Sequence, residues 1–362
     1  MAAADGDASA LVPSAGSGPV PFKDMDDGTV PAEHAPRDED LSSDLVAALP
    51  RRQDPIMEVL LYQGCWLPKY WVPGIIQFQR RFKPRPDDVI LASYPKCGTT
   101  WLMALAFAVA ARRAYPPAAA AAGEHEHEHP LRRLHPHDVV PLVEEVFARE
   151  DEARLDALPS PRLMSTHLPF TLLPPPVVAA AGSGGCRVVY VCRDPKDMVV
   201  SMWHFLRRSS RSEGFSFADL FDAVCDGTAA PGPVWENVLS YWRAAVALPD
   251  TVLFLRYEDL LRDTGEGVRR LAKFMGMPFT AAEEAAGAVA AVVELCSLGN
   301  MKAQEVNKAG SVAAAGNLTM PRDSFFRKGV AGDWASLMTP EMAVRMDGIF
   351  HEKFLGTGFS FA

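Results

Sequence analysis

The chain has 362 residues, 48% of them hydrophobic and 22% charged, so a normal globular core in one large α/β domain or two modest ones is within reach. A formal net charge of −9 argues against general nucleic-acid binding. Six scattered cysteines without a CxxC pair argue against a disulfide framework and read as reduced thiols. No apolar run is long and clean enough to span a bilayer, and no basic region followed by an apolar stretch marks a secretory signal, so cytoplasm is the expected location.

Residues 1–52 are rich in Ala, Gly, Pro, Asp and Glu with little periodicity, so a mostly disordered tail is expected there and a single domain over 53–362. Residues 57–82 carry two tryptophans, two tyrosines and several Gly/Pro breaks; they read as an irregular but buried aromatic segment. The run "DDVILASY" (87–94) predicts a buried strand, and 98–113 a buried helix. Residues 115–137 are low-complexity and read as an exposed loop insertion, whose alternating His and Glu match no defined metal spacing. Strands are expected at 161–170, breaking at Pro169, at 186–193 and at 251–260. Asp194 as N-cap and Pro195 in the first turn open a helix. Further helices are expected over 216–227, 233–248 and 265–277, the last closed near Gly276. Another is expected over 280–297, with a Thr280–Glu283 capping box, and a last one from Thr339 and Pro340. Strands alternating with helices predict one central parallel sheet covered on both faces.

The stretch "YPKCGTTWL" (94–102) joins a predicted strand to a predicted helix. Such a joint leaves the first helical N–H groups unpaired and aimed at one spot. Gly98 lets the backbone approach a ligand, Thr99 and Thr100 add hydroxyls, and Lys96 adds a full positive charge, which makes an anion site. The order differs from GxxxxGK[ST], because the lysine here precedes the glycine. Further along, Arg193 ends a strand and Ser201 lies about two turns into the next helix. Tyr257 ends another strand, and Arg327 and Lys328 stand beside Gly329 in "FFRKGVAGDW". The carboxyl ends of parallel strands converge on one crevice, where these cations suit a ligand with more than one phosphate.

The motifs "YPKCGTTWL", "STHLPF", "VVYVCRDPKDMVVSMWHF", "RYEDL", "EVN" and "RKGVAGDW", in this order, resemble those of the cytosolic sulfotransferases, most closely the plant ones, from residue 57 to the end. The resemblance implies a single α/β domain related to P-loop nucleotide kinases. It implies the donor 3′-phosphoadenosine 5′-phosphosulfate (PAPS), released as 3′-phosphoadenosine 5′-phosphate (PAP), and a small hydroxyl or amine acceptor; with Lys96 to neutralise the leaving charge, no metal is expected to be required. By the same resemblance Lys96, Cys97, Gly98, Thr99 and Thr100 form the loop on the 5′-phosphosulfate, and Trp101 packs on the adenine. Arg193, Ser201, Arg327, Lys328 and Gly329 resemble the clamp on the 3′-phosphate. Tyr257 meets the adenine edge, Ser297 lies in the segment passing the adenosine, and His167 matches the catalytic base.

Three positions depart from the family pattern: Cys97 stands where serine is common, Ser165 where many animal members have lysine, and Leu298 where phenylalanine is frequent. The animal dimer motif is largely absent, its positions reading Ala335, Thr339, Pro340 and Val344, which points to a monomer. Flavonols, hydroxyjasmonates and brassinosteroids are among the plant family's acceptors. The segment around Trp66, Tyr70 and Trp71 and the loop from about 300 to 325 are expected to shape the acceptor pocket. Two alternatives stand beside this reading. One is a small-molecule kinase using the carboxylates of "RYEDL" to hold a metal; the other is a PAP- or PAPS-binding protein without efficient turnover.

Overall fold

The computed structural model describes residues 18–25, 39–54, 57–117, 128–181, 186–209, 216–313, 316 and 318–361. Strands β1 (Arg51–Gln53), β2 (Glu58–Tyr62) and β3 (Cys65–Pro68) form a small antiparallel sheet. The central sheet contains β4 (Val89–Ser93), β5 (Leu163–Thr166), β6 (Arg187–Cys192) and β7 (Val252–Arg256), all parallel, in the order β5-β4-β6-β7. A two-stranded ribbon of β8 (Ser311–Ala313) and β9 (Thr319–Pro321) completes the strands.

The central strands are apolar without interruption because helices cover both faces. Their alternate residues sort onto two cores. Ile90, Ala92, Val188, Tyr190 and Cys192 join one buried cluster, while Val89, Leu91, Val189 and Val191 join the other. The helix Thr99–Ala111 sinks into the second core, and its sequence is apolar on every side for that reason. The helix Pro195–Leu206 begins as expected, with the Asp194 carboxylate accepting the Lys196 N–H at 2.8 Å.

Several elements differ from the sequence expectation. Residues 57–82 are regular: β2, β3 and the helix Trp71–Arg81 account for most of them, and the glycine of the Gln63–Gly64 turn has φ +81°. Strand β7 stops at Arg256, and Tyr257 opens the short helix Tyr257–Arg262 instead of extending the strand. Strand β5 stops at Thr166, before Pro169. The Thr280–Glu283 capping box is present, but Gly287 at φ +75° divides the expected helix into Ala281–Ala285 and Ala288–Leu295.

The described end of the expected loop insertion is not exposed. His129 and His135 are buried, and His135 caps the helix Pro136–Val139; residues 118–127 lie outside the described residues. Within the expected tail, the helix Glu39–Ala48 and strand β1 are formed. Phe22 also docks there, under the Arg154 guanidinium at 4.2 Å.

Candidate active site

The register of the central sheet decides where the site lies. Ala92 pairs with both Thr166 and Tyr190, and Tyr190 pairs with Phe254. The four strands therefore run out at nearly one level. The segments bearing Lys96, His167, Arg193 and Tyr257 leave the same carboxyl edge. A cavity of about 390 Å³ opens there, and every site residue expected from the sequence lines it except Cys97.

Cys97 is corrected by the loop's geometry. Lys96 and Gly98 both have positive φ, +66° and +109°, and the turn between them directs the residue 97 side chain into the core with Tyr94 and Cys192. Burial pushes its thiol up to about 12, and its N–H donates to the Tyr94 carbonyl at 3.2 Å. A side chain so placed reaches no ligand in the cavity, and a serine there would not reach one either.

The rest of the loop faces the cavity. Gly98 has to be glycine: beyond its φ, an added Cβ would sit 2.9 Å from Tyr257 Cδ2. The Thr99 hydroxyl is tied to Ser93 Oγ at 2.5 Å, and Thr100 Oγ1 lies 3.1 Å from His137 Nε2. Lys96 Nζ lies 3.7 Å from the Phe205 ring centroid. Burial, and then the Arg193 and Arg327 guanidiniums, bring its ammonium down to about 7.

Arg193 is held by the Val330 carbonyl at 2.8 Å, by Asp197 at 3.7 Å and by the Tyr257 ring at 4.5 Å, yet its Nε is buried with no partner. Buried Asp197 accepts the Gly332 and Trp334 N–H groups at 2.7 and 2.9 Å and so anchors the "RKGVAGDW" loop beside this helix. Asp333 gathers Arg327 and Lys328, the latter at 2.6 Å. Trp101 meets Tyr257 edge-on at 5.7 Å. Leu298 packs so closely on Gly329 that a Cβ there would lie 2.7 Å from its Cδ2. Ser297 accepts the Asn300 N–H at 3.2 Å and caps the short helix Leu298–Ala303.

A second cavity of about 160 Å³ adjoins the first and shares Pro95, His137, His167, Phe205 and Phe325 with it. His167 lies on the seam. Its Nδ1 is 2.8 Å from the Ser93 carbonyl oxygen. A carbonyl only accepts, so Nδ1 carries the proton and Nε2 presents a lone pair. Burial is the main cause that drives the imidazole down to about 4, opposed by the Ser93 bond and helped by Lys96.

The His167 backbone is pinned on both sides. Its N–H donates to buried Glu144 Oε1 at 2.6 Å, and its carbonyl accepts from Asn237 Nδ2 at 2.9 Å. The same Glu144 oxygen accepts the Thr166 hydroxyl at 2.9 Å, and burial pushes this carboxyl up to about 7.

Sequence reasoning missed Glu144 and His137. His137, assigned to the loop insertion, stands between both cavities with its ring 4.6 Å from that of Phe325, and burial holds it well below the usual histidine range. The available signal was "HPHD", a proline and an aspartate that start a helix directly after the low-complexity run. Of the aromatic segment, Trp71 lines the second cavity while Trp66 and Tyr70 do not. From the 300–325 loop, Val312, Ala313, Leu318 and Phe325 line it. Ser165 is turned away, its hydroxyl donating to the Pro141 carbonyl at 2.9 Å. Glu258 of "RYEDL" lines neither of these two cavities and accepts the Asp194 N–H at 3.0 Å.

Cations and a helix N-terminus at the carboxyl edge of a parallel sheet, beside a neutral imidazole, make an anion-binding site with a base at hand, the arrangement of a group-transfer enzyme acting on an anionic donor. The family model for the sulfotransferase domain matches residues 86–358, and the chain belongs to the sulfotransferase family, enzymes that draw on PAPS. Cytosolic sulfotransferase 8 of Arabidopsis thaliana is 43% identical over 300 residues, 82% of this chain and 86% of that protein. Cytosolic sulfotransferase 1 of the same plant is 38% identical over 333 residues, 90% and 97% of the two chains. A solved structure of a proposed steroid sulphotransferase from Arabidopsis thaliana is 31% identical with a TM-score of 0.68, covering 92% of this chain and all of that one. A mouse sulfotransferase solved with PAP is 25% identical with a TM-score of 0.62, covering 82% and 94%.

Proposed function

We propose that this enzyme transfers the sulfuryl group of PAPS to a hydroxyl of a small lipophilic acceptor, with His167 as general base. The observation that carries this reading is the meeting of a cationic cavity and an apolar one at the His167 imidazole, whose Nδ1–H is engaged by the Ser93 carbonyl.

The residues present fit the donor. Arg193, with its unpaired buried Nε, and Arg327, Lys328 and Ser201 would hold the 3′-phosphate. Lys96, Thr99, Thr100 and the first N–H groups of the helix would hold the phosphosulfate. Trp101, Tyr257 and Leu298 would flank the adenine. When bound, PAPS supplies the activated sulfuryl group.

The chain's own groups then have two tasks. His167 is neutral above about pH 4, so at cellular pH its Nε2 takes the acceptor's hydroxyl proton, a contribution of about 10²–10⁴-fold. Lys96 and the helix N-terminus keep positive charge where negative charge gathers on the departing phosphate. The second cavity, walled by Met57, Trp71, Met198, Met202 and Leu220, suits an apolar or flat acceptor body. Among the described residues no helix is long and apolar enough to cross a membrane, and the names of the Arabidopsis relatives support a cytoplasmic location. The lost dimer motif supports a monomer.

The test is a screen of phenols and alcohols with labelled PAPS in excess chelator. Sulfated product is expected, with turnover abolished in His167→Ala and its PAP affinity kept within about threefold. Near wild-type turnover in that variant overturns the base assignment; phosphoryl transfer dependent on Mg²⁺ and ATP overturns the sulfuryl reading.

A further inference from the structure

Among the described residues that line the acceptor cavity, one is charged. Among its described lining residues Asp54 alone carries a carboxylate, none carries an ammonium or guanidinium, and the other polar side chains include His137, His167 and Tyr94. Asp54 is not part of the seam with the donor cavity; it stands in the acceptor cavity alone, on the side of Met57. Strand β1 ends one residue before it, and a hydrogen bond from its own N–H to the Met57 carbonyl at 2.9 Å fixes the turn.

The side chain is 19% exposed, and its carboxylate oxygens accept no hydrogen bond from the described residues. Its nearest cation is Arg52, 3.9 Å away and outside the cavity lining. That guanidinium donates to the Thr228 carbonyl at 3.0 Å and lies 5.5 Å from the Trp66 ring centroid, with its Nε buried and unpartnered. Burial pushes the Asp54 carboxyl up, with Arg52 opposing it, so a hydrogen-bond donor arriving from the cavity would favour its charged form.

We propose that Asp54 selects the acceptor by charge. Building on the sulfuryl-transfer reading, the alcohol taken by this site is neutral or cationic, and a second hydrogen-bond donor away from its reacting hydroxyl favours it. Hydroxy acids are turned away, because their carboxylate would face Asp54 with no cation in the described lining to receive it. This divides the acceptor chemistries open to the family: uncharged phenols, polyols and steroid-like alcohols, or amino alcohols, fit, and hydroxylated carboxylic acids do not.

Three phenols differing only at the far end test the assignment: tyramine, the methyl ester of 3-(4-hydroxyphenyl)propionic acid, and the free acid. With the full chain and saturating PAPS at pH 7.5, kcat/KM is expected to be highest for tyramine, intermediate for the ester, and about 10–100-fold lower for the acid than for the ester. Asp54→Asn should raise the acid and lower tyramine, compressing that series to within about threefold. The same order of affinity is expected on the enzyme–PAP complex, measured by calorimetry: tyramine has the lowest dissociation constant and the acid the highest. A chain that binds them in this order without turnover keeps the charge assignment and overturns the catalytic one. Equal use or equal binding of acid and ester by the wild-type chain, or an unchanged series in Asp54→Asn, overturns the role of Asp54.

Discussion

If the donor binds beside Lys96 as proposed, its binding is expected to take up a proton. The Lys96 ammonium has been brought down to about 7 by burial and then by Arg193 and Arg327. An anion seated beside it favours the charged form and returns the group toward the ordinary lysine range, near 10. The sign follows directly. Below pH 7 the ammonium is already formed in the free chain, and binding takes up no proton. Above pH 7 the amine is neutral and must be charged for the complex to form, so affinity falls as pH rises.

With one linked group, the dissociation constant of PAP should rise about 50-fold between pH 7 and pH 9. About 0.9 proton should be taken up per PAP bound at pH 8. Below about pH 6 the phosphate itself begins to protonate, which confines the test to higher pH. Calorimetry at pH 8 in two buffers of different ionisation enthalpy counts the protons, and titrations at pH 7, 8 and 9 give the slope. Lys96→Met should bind PAP more weakly, with no uptake and a flat profile. Zero uptake at pH 8 in the wild-type chain, with a flat dissociation constant, would show that the ammonium is already charged in the free enzyme and would refute the reasoning.

Two further outcomes follow from the same geometry. Glu144→Ala leaves the Thr166 hydroxyl and the His167 N–H without their acceptor, so a loss of about 2–4 kcal/mol is expected in urea unfolding, together with reduced kcat; Glu144→Gln, which keeps an acceptor oxygen, should recover most of both. Gly98→Ala combines a φ of +109° with a Cβ 2.9 Å from Tyr257 Cδ2 and should weaken PAP binding about 10–100-fold, read by calorimetry, while circular dichroism stays that of the wild type.

The donor cavity was legible because it is built from local rules. The stretches bearing Lys96, His167, Arg193 and Tyr257 are strand ends followed by a turn or a helix start, and those carry their own signals: an apolar run, a glycine in a tight turn, an aspartate before a proline. Parallel pairing then brings such ends to one edge without further information. Cys97 shows where this reasoning stops. The motif names the residue, but only the backbone dihedrals on either side of it decide that the side chain points inward.

The acceptor side was written in the sequence far less plainly. Its wall joins Asp54 and Met57 to Ala229, Ala230 and Pro231, and to Val312 and Leu318, segments far apart along the chain. No period or local preference links such stretches; only packing brings them together, and a one-residue change of orientation would exchange the residues in the wall. His137 entered the site by the same route, on a short helix that alternation of His and Glu had disguised as loop. The chain's sequence thus determined by itself the sheet, the anion-binding loop and the chemical family, because each rests on interactions between near neighbours and on strand order. The tertiary structure alone decided which imidazoles stand where the two cavities meet and which carboxylate lines the second one, because those depend on where distant segments come to rest against one another.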